Sequence, residues 1–251
     1  MASNTIYRVE PEKTHTHTVI FLYGRDSNCK EFADEFFESE ASKPVKQPRT
    51  FLDLFPTIRW VFPNAPTLLS ERFGTEMSQW FDMWSVENPA ERPELQQPGL
   101  QQSIKQILGI IKEEESLVPR GRIFICGISQ GFATAIATYF AEMRGGFAGL
   151  MGLCGWMPLG HNGLGKLQTI FGNQQALEVD GDLACKTPVF LGHSIDDDVV
   201  PIRNGRELRD IISSHGLPVE WREYEDGGHW INEPQGVDDI VRFLNRYMGV
   251  S

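Results

Sequence analysis

A pentapeptide, Gly127-Ile128-Ser129-Gln130-Gly131, joins a short apolar run, Arg122-Ile123-Phe124-Ile125-Cys126, to a stretch of helix formers from Phe132 to Ala141. The run reads as a buried strand and the stretch as a helix, so a serine stands at the apex of a sharp turn between them. A hydroxyl held there is pushed out of the sheet toward substrate and base. The flanking glycines let strand and helix approach where a Cβ would clash. Three fixed residues alone are a weak sign, and the plain alternative is a Gly-flanked serine that caps a buried helix. The strand before it and the helix after it favour a nucleophile.

A serine hydroxyl is too weakly acidic to attack an acyl carbon near neutral pH unless a base takes its proton, so partners are required downstream. Pro188-Val189-Phe190-Leu191-Gly192 reads as a buried strand that runs into His193-Ser194-Ile195-Asp196-Asp197-Asp198-Val199-Val200-Pro201. Val219-Glu220-Trp221-Arg222-Glu223-Tyr224-Glu225 alternates like a final strand and is followed by Asp226-Gly227-Gly228-His229-Trp230. His229 is the candidate base. One of the acids after the earlier strand would fix its tautomer and stabilise the imidazolium as it forms. The residues themselves leave Asp196, Asp197 and Asp198 open.

These segments together resemble the phospholipase/carboxylesterase family of α/β hydrolases, which includes the acyl-protein thioesterases, and the wording is most similar to a fungal-type branch. Phe21-Leu22-Tyr23-Gly24 is similar to the family's Leu-His-Gly turn, and Ser78-Gln79-Trp80-Phe81-Asp82 to its Ser-Trp-Phe-Asp segment. Residues 127–131 resemble its elbow, His193 to Pro201 its acid segment, and Gly228-His229 its histidine loop. The resemblance implies a Ser129, Asp197 and His229 triad, because the family's acid lies four residues after the histidine and four before the proline. Asp196 and Asp198 are then loop or capping carboxylates, with Asp198 a possible cap for a helix entered at Pro201, and His193 is structural. It also implies an oxyanion hole built from the backbone N–H groups of Gln130 and Arg25. The chain departs from the family at Tyr23, which stands where the family has His, and at Arg25-Asp26-Ser27. Arg25 and Asp26 either shape the acyl pocket or pair at the surface.

Strands are expected at Thr16–Leu22, Ile58–Phe62, Arg122–Cys126, Gly146–Leu153, Pro188–Gly192 and Pro218–Tyr224. Helices are expected between them at Lys30–Glu38, Leu100–Glu115, Gln130–Met143, Ile202–His215 and Val237–Met248. This alternation predicts an α/β fold: one doubly wound, mostly parallel sheet with flanking helices, forming a single domain over residues 1–251. Two long irregular stretches border the expected site. Asn64 to Gln97 carries Met77, Trp80, Phe81, Met83 and Trp84; Gly155 to Lys186 carries Trp156, Met157, Leu159, Leu164, Leu167, Ile170 and Phe171 and suggests a short lid or cap. Tyr23, Met77, Gln79, Trp80, Phe81, Trp156 and Trp230 are the candidate substrate-binding residues. The alternative for each is a place in the core.

A formal charge of −11 without any cluster of Lys and Arg argues against nucleic acid as a partner. No run approaches the length of a membrane span and the first residues lack the apolar core of a secretory signal, so stable membrane insertion is not expected and a cytoplasmic protein is. Cys29, Cys126, Cys154 and Cys185 lack metal-ligand spacing and are expected to be reduced and packed. His15 and His17 are expected to point outward from an early strand rather than to bind zinc. Neither a metal nor a cofactor is implied. The predicted activity is hydrolysis of a carboxylic ester or thioester, on a small molecule or an acylated protein. The alternative is an acyltransferase, or a lactone-forming or lactone-hydrolysing enzyme of specialised metabolism, using the same triad.

Overall fold

The computed structural model describes residues 5–142, 144–160, 163, 165–167 and 186–249. Strands whose residues are all buried form its centre: β2 (His17–Leu22), β6 (Ile123–Ile128), β7 (Gly149–Leu153) and β8 (Val189–Ser194). Continuous apolar runs of this kind suit parallel strands covered on both faces. With β1 (Ile6–Val9), β3 (Ile58–Pro63) and β9 (Val219–Tyr224) they make one seven-stranded sheet in the order β1-β3-β2-β6-β7-β8-β9. Only β1 runs antiparallel, pairing Ile6 with Pro63 and Val9 with Trp60. From β3 to β9 every pairing is parallel, so the C-terminal ends of β2, β6, β8 and β9 open on one edge. In such sheets that edge is where ligands bind.

The helices follow their sequence periods. In α1 (Cys29–Glu38), Cys29, Phe32, Ala33 and Phe36 form the buried stripe, and the Asn28 side chain caps the helix by accepting from Lys30 N and Glu31 N. Phe32 and Phe36 join Phe21, Phe51, Trp60 and Phe62 in an aromatic cluster, with the Phe36 and Phe51 rings stacked 4.4 Å apart. A short α2 (Phe51–Leu54) and a long α3 (Gln96–Glu115) precede the elbow. α4 (Gln130–Glu142) is buried from Gln130 to Phe140, as a helix between a sheet and α3 should be. α5 (Ile202–Ser214) and α6 (Gln235–Met248) are amphipathic and complete the order.

The expected strands and helices are present, and the strand expected over Gly146–Leu153 shortens to β7. Three strands were not expected: β1, and the hairpin β4 (Thr67–Ser70) and β5 (Thr75–Ser78), which organises part of the irregular stretch after Asn64. His17 also differs from expectation. It is 8% exposed on β2, with Nδ1 3.0 Å from Thr16 Oγ1, because the strand is covered on both faces and leaves no outward position. Of the expected lid, Trp156, Met157, Leu159 and Leu167 are buried, whereas Leu164, Ile170 and Phe171, like Cys185, lie outside the described residues.

Candidate active site

Ser129 sits between β6 and α4 at φ 56°, a left-handed backbone that an L-residue adopts only when its surroundings hold it there. Its N–H donates to Leu153 O at 2.8 Å. The turn is closed from both sides: a Cβ on Gly127 would meet Phe132 N at 2.6 Å, and one on Gly131 would meet Leu22 O at 2.1 Å. The two glycines therefore set how closely β6, α4 and β2 approach.

Asp197 follows β8, and its carboxylate collects four donors. Oδ1 accepts from Val199 N at 2.9 Å and Val200 N at 2.8 Å, which folds the segment back on itself. Oδ2 lies 2.8 Å from His229 Nδ1 and 3.3 Å from His193 Nε2. Burial alone would raise the pKa of this carboxyl. The bonds from His193 and His229, the His229 charge and Val200 N outweigh it and hold the carboxyl well below the usual carboxylate range. A carboxylate can only accept, so His229 Nδ1 carries the proton and Nε2 presents a lone pair.

The neighbours of Asp197 have distinct roles. Asp196 Oδ1 accepts from Gly228 N at 2.9 Å and ties the acid segment to the histidine loop. Asp198 does not cap α5, which starts after Pro201 with no side-chain cap. His193 is 1% exposed; its Nε2 donates to Val200 O at 2.9 Å, in keeping with a structural role, and also reaches the acid, a contact the sequence did not suggest. Cys154 brings its Sγ within 4.8 Å of ligand atoms on Asp197 and His229, the one such His, Cys, Asp or Glu group among the described residues. Burial, helped by the Asp197 charge, pushes its thiol well up, and the other two atoms already bond to each other. A protonated thiol beside a carboxylate and an imidazole already hydrogen-bonded to each other makes a poor metal site.

Ser129 and His229 line one cleft of about 650 Å³. No hydrogen bond joins them in this structure. Arg25 and Gln130, the residues expected to supply the oxyanion-hole N–H groups, line the same cleft. Gln130 opens α4, so its N–H has no carbonyl one turn earlier in the helix to bond. The Gln130 side chain does separate work: Oε1 accepts from Trp80 N and Nε2 donates to Phe81 O, each at 2.8 Å.

Of the candidate substrate-binding residues, Met77, Trp156 and Trp230 line the cleft, together with Met83, Val86 and Ile128. Tyr23, Gln79, Trp80 and Phe81 do not; each is fully buried. Tyr23 OH donates to Asn64 Oδ1 at 2.9 Å and accepts from Ala65 N at 2.7 Å. Gln79 Nε2 donates to Leu68 O at 3.3 Å, and Trp80 Nε1 to Tyr23 O at 2.8 Å. The Tyr23 hydroxyl, the Gln79 amide nitrogen and the Trp80 indole nitrogen find their partners behind the cleft, and these side chains brace that segment. Arg25 and Asp26 form no ion pair among the described residues; Arg25 instead lies over the Phe73 ring at 5.4 Å. No helix among the described residues is long and apolar enough to cross a membrane.

Comparison with known proteins identifies the family and the fold. Residues 4–248 match the family model described as Phospholipase/Carboxylesterase. Acyl-protein thioesterase 1 of Yarrowia lipolytica is 30% identical over 241 residues, covering 94% of this chain and 94% of that protein. Acyl-protein thioesterase 1 of Cryptococcus neoformans is 28% identical over 207 residues, covering 82% of this chain and 76% of that protein. The crystal structure of Zea mays acyl-protein thioesterase 2 superposes with a TM-score of 0.74 at 22% identity, covering 98% of this chain and all of that one, a likeness of fold.

Proposed function

The chain belongs to the phospholipase/carboxylesterase family, and on that footing we propose that it is a serine hydrolase cleaving carboxylic esters and thioesters through an acyl-enzyme on Ser129. The observation that carries this reading is the 2.8 Å contact of Asp197 Oδ2 with His229 Nδ1, beside a cleft that His229 shares with the strained Ser129.

The chemistry follows from these groups. His229 Nε2 takes the Ser129 proton as Oγ attacks the acyl carbon, and the carbonyl oxygen becomes an oxyanion facing the N–H groups of Arg25 and Gln130. As the tetrahedral centre collapses, the carbon–oxygen or carbon–sulfur bond breaks and the imidazolium protonates the departing alcohol or thiol. Water then attacks the acyl-enzyme, giving its proton to His229, and the second collapse returns that proton to Ser129 Oγ and frees the carboxylic acid. Asp197 keeps the imidazole in the needed tautomer throughout.

The apolar lining of Met77, Met83, Val86, Ile128, Trp156 and Trp230 supports an acyl chain in the cleft. The names of the relatives support thioesters of acylated proteins and, for a probable carboxylesterase of Oryza sativa, carboxylic esters. Cys29, Cys126 and Cys154 are free and buried, which supports action in the reducing cytoplasm. Hydrolysis of matched oxygen and thiol esters from short to long acyl chains, by wild type and Ser129→Ala, tests the proposal. Serine-dependent turnover of both ester types is expected. Turnover that survives Ser129→Ala undiminished would remove the reading.

A further inference from the structure

The cleft holds one Lys or Arg among its lining residues, Arg25, and two carboxylates, Asp26 and Glu35. The charges are not equivalent. Asp26 and Glu35 are exposed, where water and salt screen them. Arg25 is half-buried, and its side chain forms no hydrogen bond or ion pair with any described residue.

Its position is nevertheless defined. The guanidinium carbon lies 5.4 Å from the centre of the Phe73 ring, at the turn of the β4–β5 hairpin, and Arg72 approaches the same ring at 5.6 Å. Arg72 is itself tethered by donation to Trp84 O at 2.7 Å. Lying over a ring face uses none of the five N–H donors of Arg25. Of the three acids that act on it, Asp82 accepts from Glu71 N at 3.0 Å and Met83 N at 2.9 Å, Glu87 accepts from Ser85 Oγ at 2.7 Å, and Asp26 is exposed and makes no ion pair with it. Burial pulls the guanidinium below the usual arginine range, and the pull of Asp82 and the push of Arg72 follow in size. Arg25 has thus lost part of its water without gaining a hydrogen-bond or ion-pair partner among the described residues. Arg25 lines the same cleft as Ser129.

We propose that the Arg25 guanidinium binds an oxyanion group of the substrate, a carboxylate or a phosphate, so that the preferred esters carry a negative charge close to the scissile acyl group. This rests on the hydrolase reading above and narrows its substrate class. A planar fork with free donors suits such a group in bidentate fashion, and partial desolvation strengthens the contact. Neutral esters of the same length leave the fork unanswered.

The test compares anionic and neutral members of matched pairs. On the acyl side these are the para-nitrophenyl monoester of adipate and para-nitrophenyl hexanoate. On the leaving side they are S-butyryl mercaptopropionate, its carboxamide, and S-butyryl mercaptoethyl phosphate. The quantity read is the ratio of kcat/KM, anionic over neutral, so that any loss common to both esters through the Arg25 backbone cancels. In at least one pair the wild-type ratio should be about ten- to a hundredfold, as a charge-assisted hydrogen bond implies. It should shrink with added salt, fall toward one in Arg25→Gln and recover in part in Arg25→Lys. Comparing the carboxylate with the phosphate identifies which oxyanion the fork prefers. A wild-type ratio near one in every pair, or a high ratio that Arg25→Gln leaves unchanged, would overturn the proposal. Calorimetric binding of the same thioesters to Ser129→Ala, with and without Arg25→Gln, separates the two readings. Charge-dependent binding without any wild-type turnover sinks the hydrolase alone, and charge-indifferent binding sinks the role of Arg25 alone.

Discussion

Replacing Asp197 by Asn keeps the size of the side chain and changes what it can accept. The carboxylate takes two N–H groups on Oδ1, from Val199 and Val200, and two imidazole nitrogens on Oδ2, from His229 and His193. An amide has one acceptor. If that oxygen stays under Val199 and Val200, its NH2 points at His229 Nδ1, and the imidazole must move its proton to Nε2, the atom that the proposed mechanism uses as base. If the amide turns over, its NH2 opposes two backbone N–H groups and the turn before α5 loses both bonds. The first arrangement preserves the fold, so kcat should fall about 10⁴-fold, equivalent to about 5.4 kcal/mol of barrier, with KM little changed. Stability should fall by about 1 to 3 kcal/mol because the bonds to Val199 and Val200 lose their charge. Thiol release from a thioester gives kcat, and thermal melting gives the second value. Asp196→Asn should be mild by comparison, because an amide oxygen can still accept from Gly228 N. If Asp196→Asn lost a thousandfold and Asp197→Asn kept its rate within tenfold, the acid would be misassigned.

Gly131→Ala would put a Cβ 2.1 Å from Leu22 O, a backbone atom of a central strand. It should cost more than about 3 kcal/mol in chemical denaturation and abolish labelling by a fluorophosphonate probe. Gln130→Ala strands the buried Trp80 N–H and Phe81 C=O, so a loss of about 2 to 4 kcal/mol is expected. Its backbone N–H remains, so probe labelling should slow without disappearing. Burial, aided by Arg122 and His15, lowers the His17 pKa from 6.5 to about 4. The unfolded chain therefore takes up that proton first, and stability is eroded as pH falls from about 6.5 to about 4, by at most about 3 kcal/mol. His17→Leu should flatten the stability profile across that window; an unchanged slope in urea titrations would refute the assignment.

The elbow, the acid segment and the histidine loop were legible because each is a local pattern: a buried strand that ends in polar or glycine-rich sequence. Which edge they share follows from parallel pairing, and that too was implied by strands alternating with helices. β1 was not legible because Ile6–Val9 is a half-buried edge strand with neither a clean alternation nor a continuous apolar run. β4 and β5 are four residues each and carry mixed polarity, so the hairpin looked like loop. Trp80 and Phe81 show the deeper limit. Large aromatic side chains in an irregular stretch suit a pocket or a core equally well, and only the bonds from Gln130, Tyr23 and Ser103 to that segment decide for the core. The same bonds reveal Gln130 as a clamp, a role invisible in the elbow motif. The tie from Asp196 to Gly228 joins residues 32 apart in sequence and leaves no local trace.

The most direct test of a Ser129 acyl-enzyme is the mass of the intact protein, acid-quenched in the first turnovers of a thioester whose acyl chain carries a mass label. A covalent increment equal to the acyl group, located on the peptide that contains Ser129 and absent from Ser129→Ala, is the predicted result. Full turnover with no increment, or an increment on another residue such as Cys154 that persists in Ser129→Ala, would contradict it.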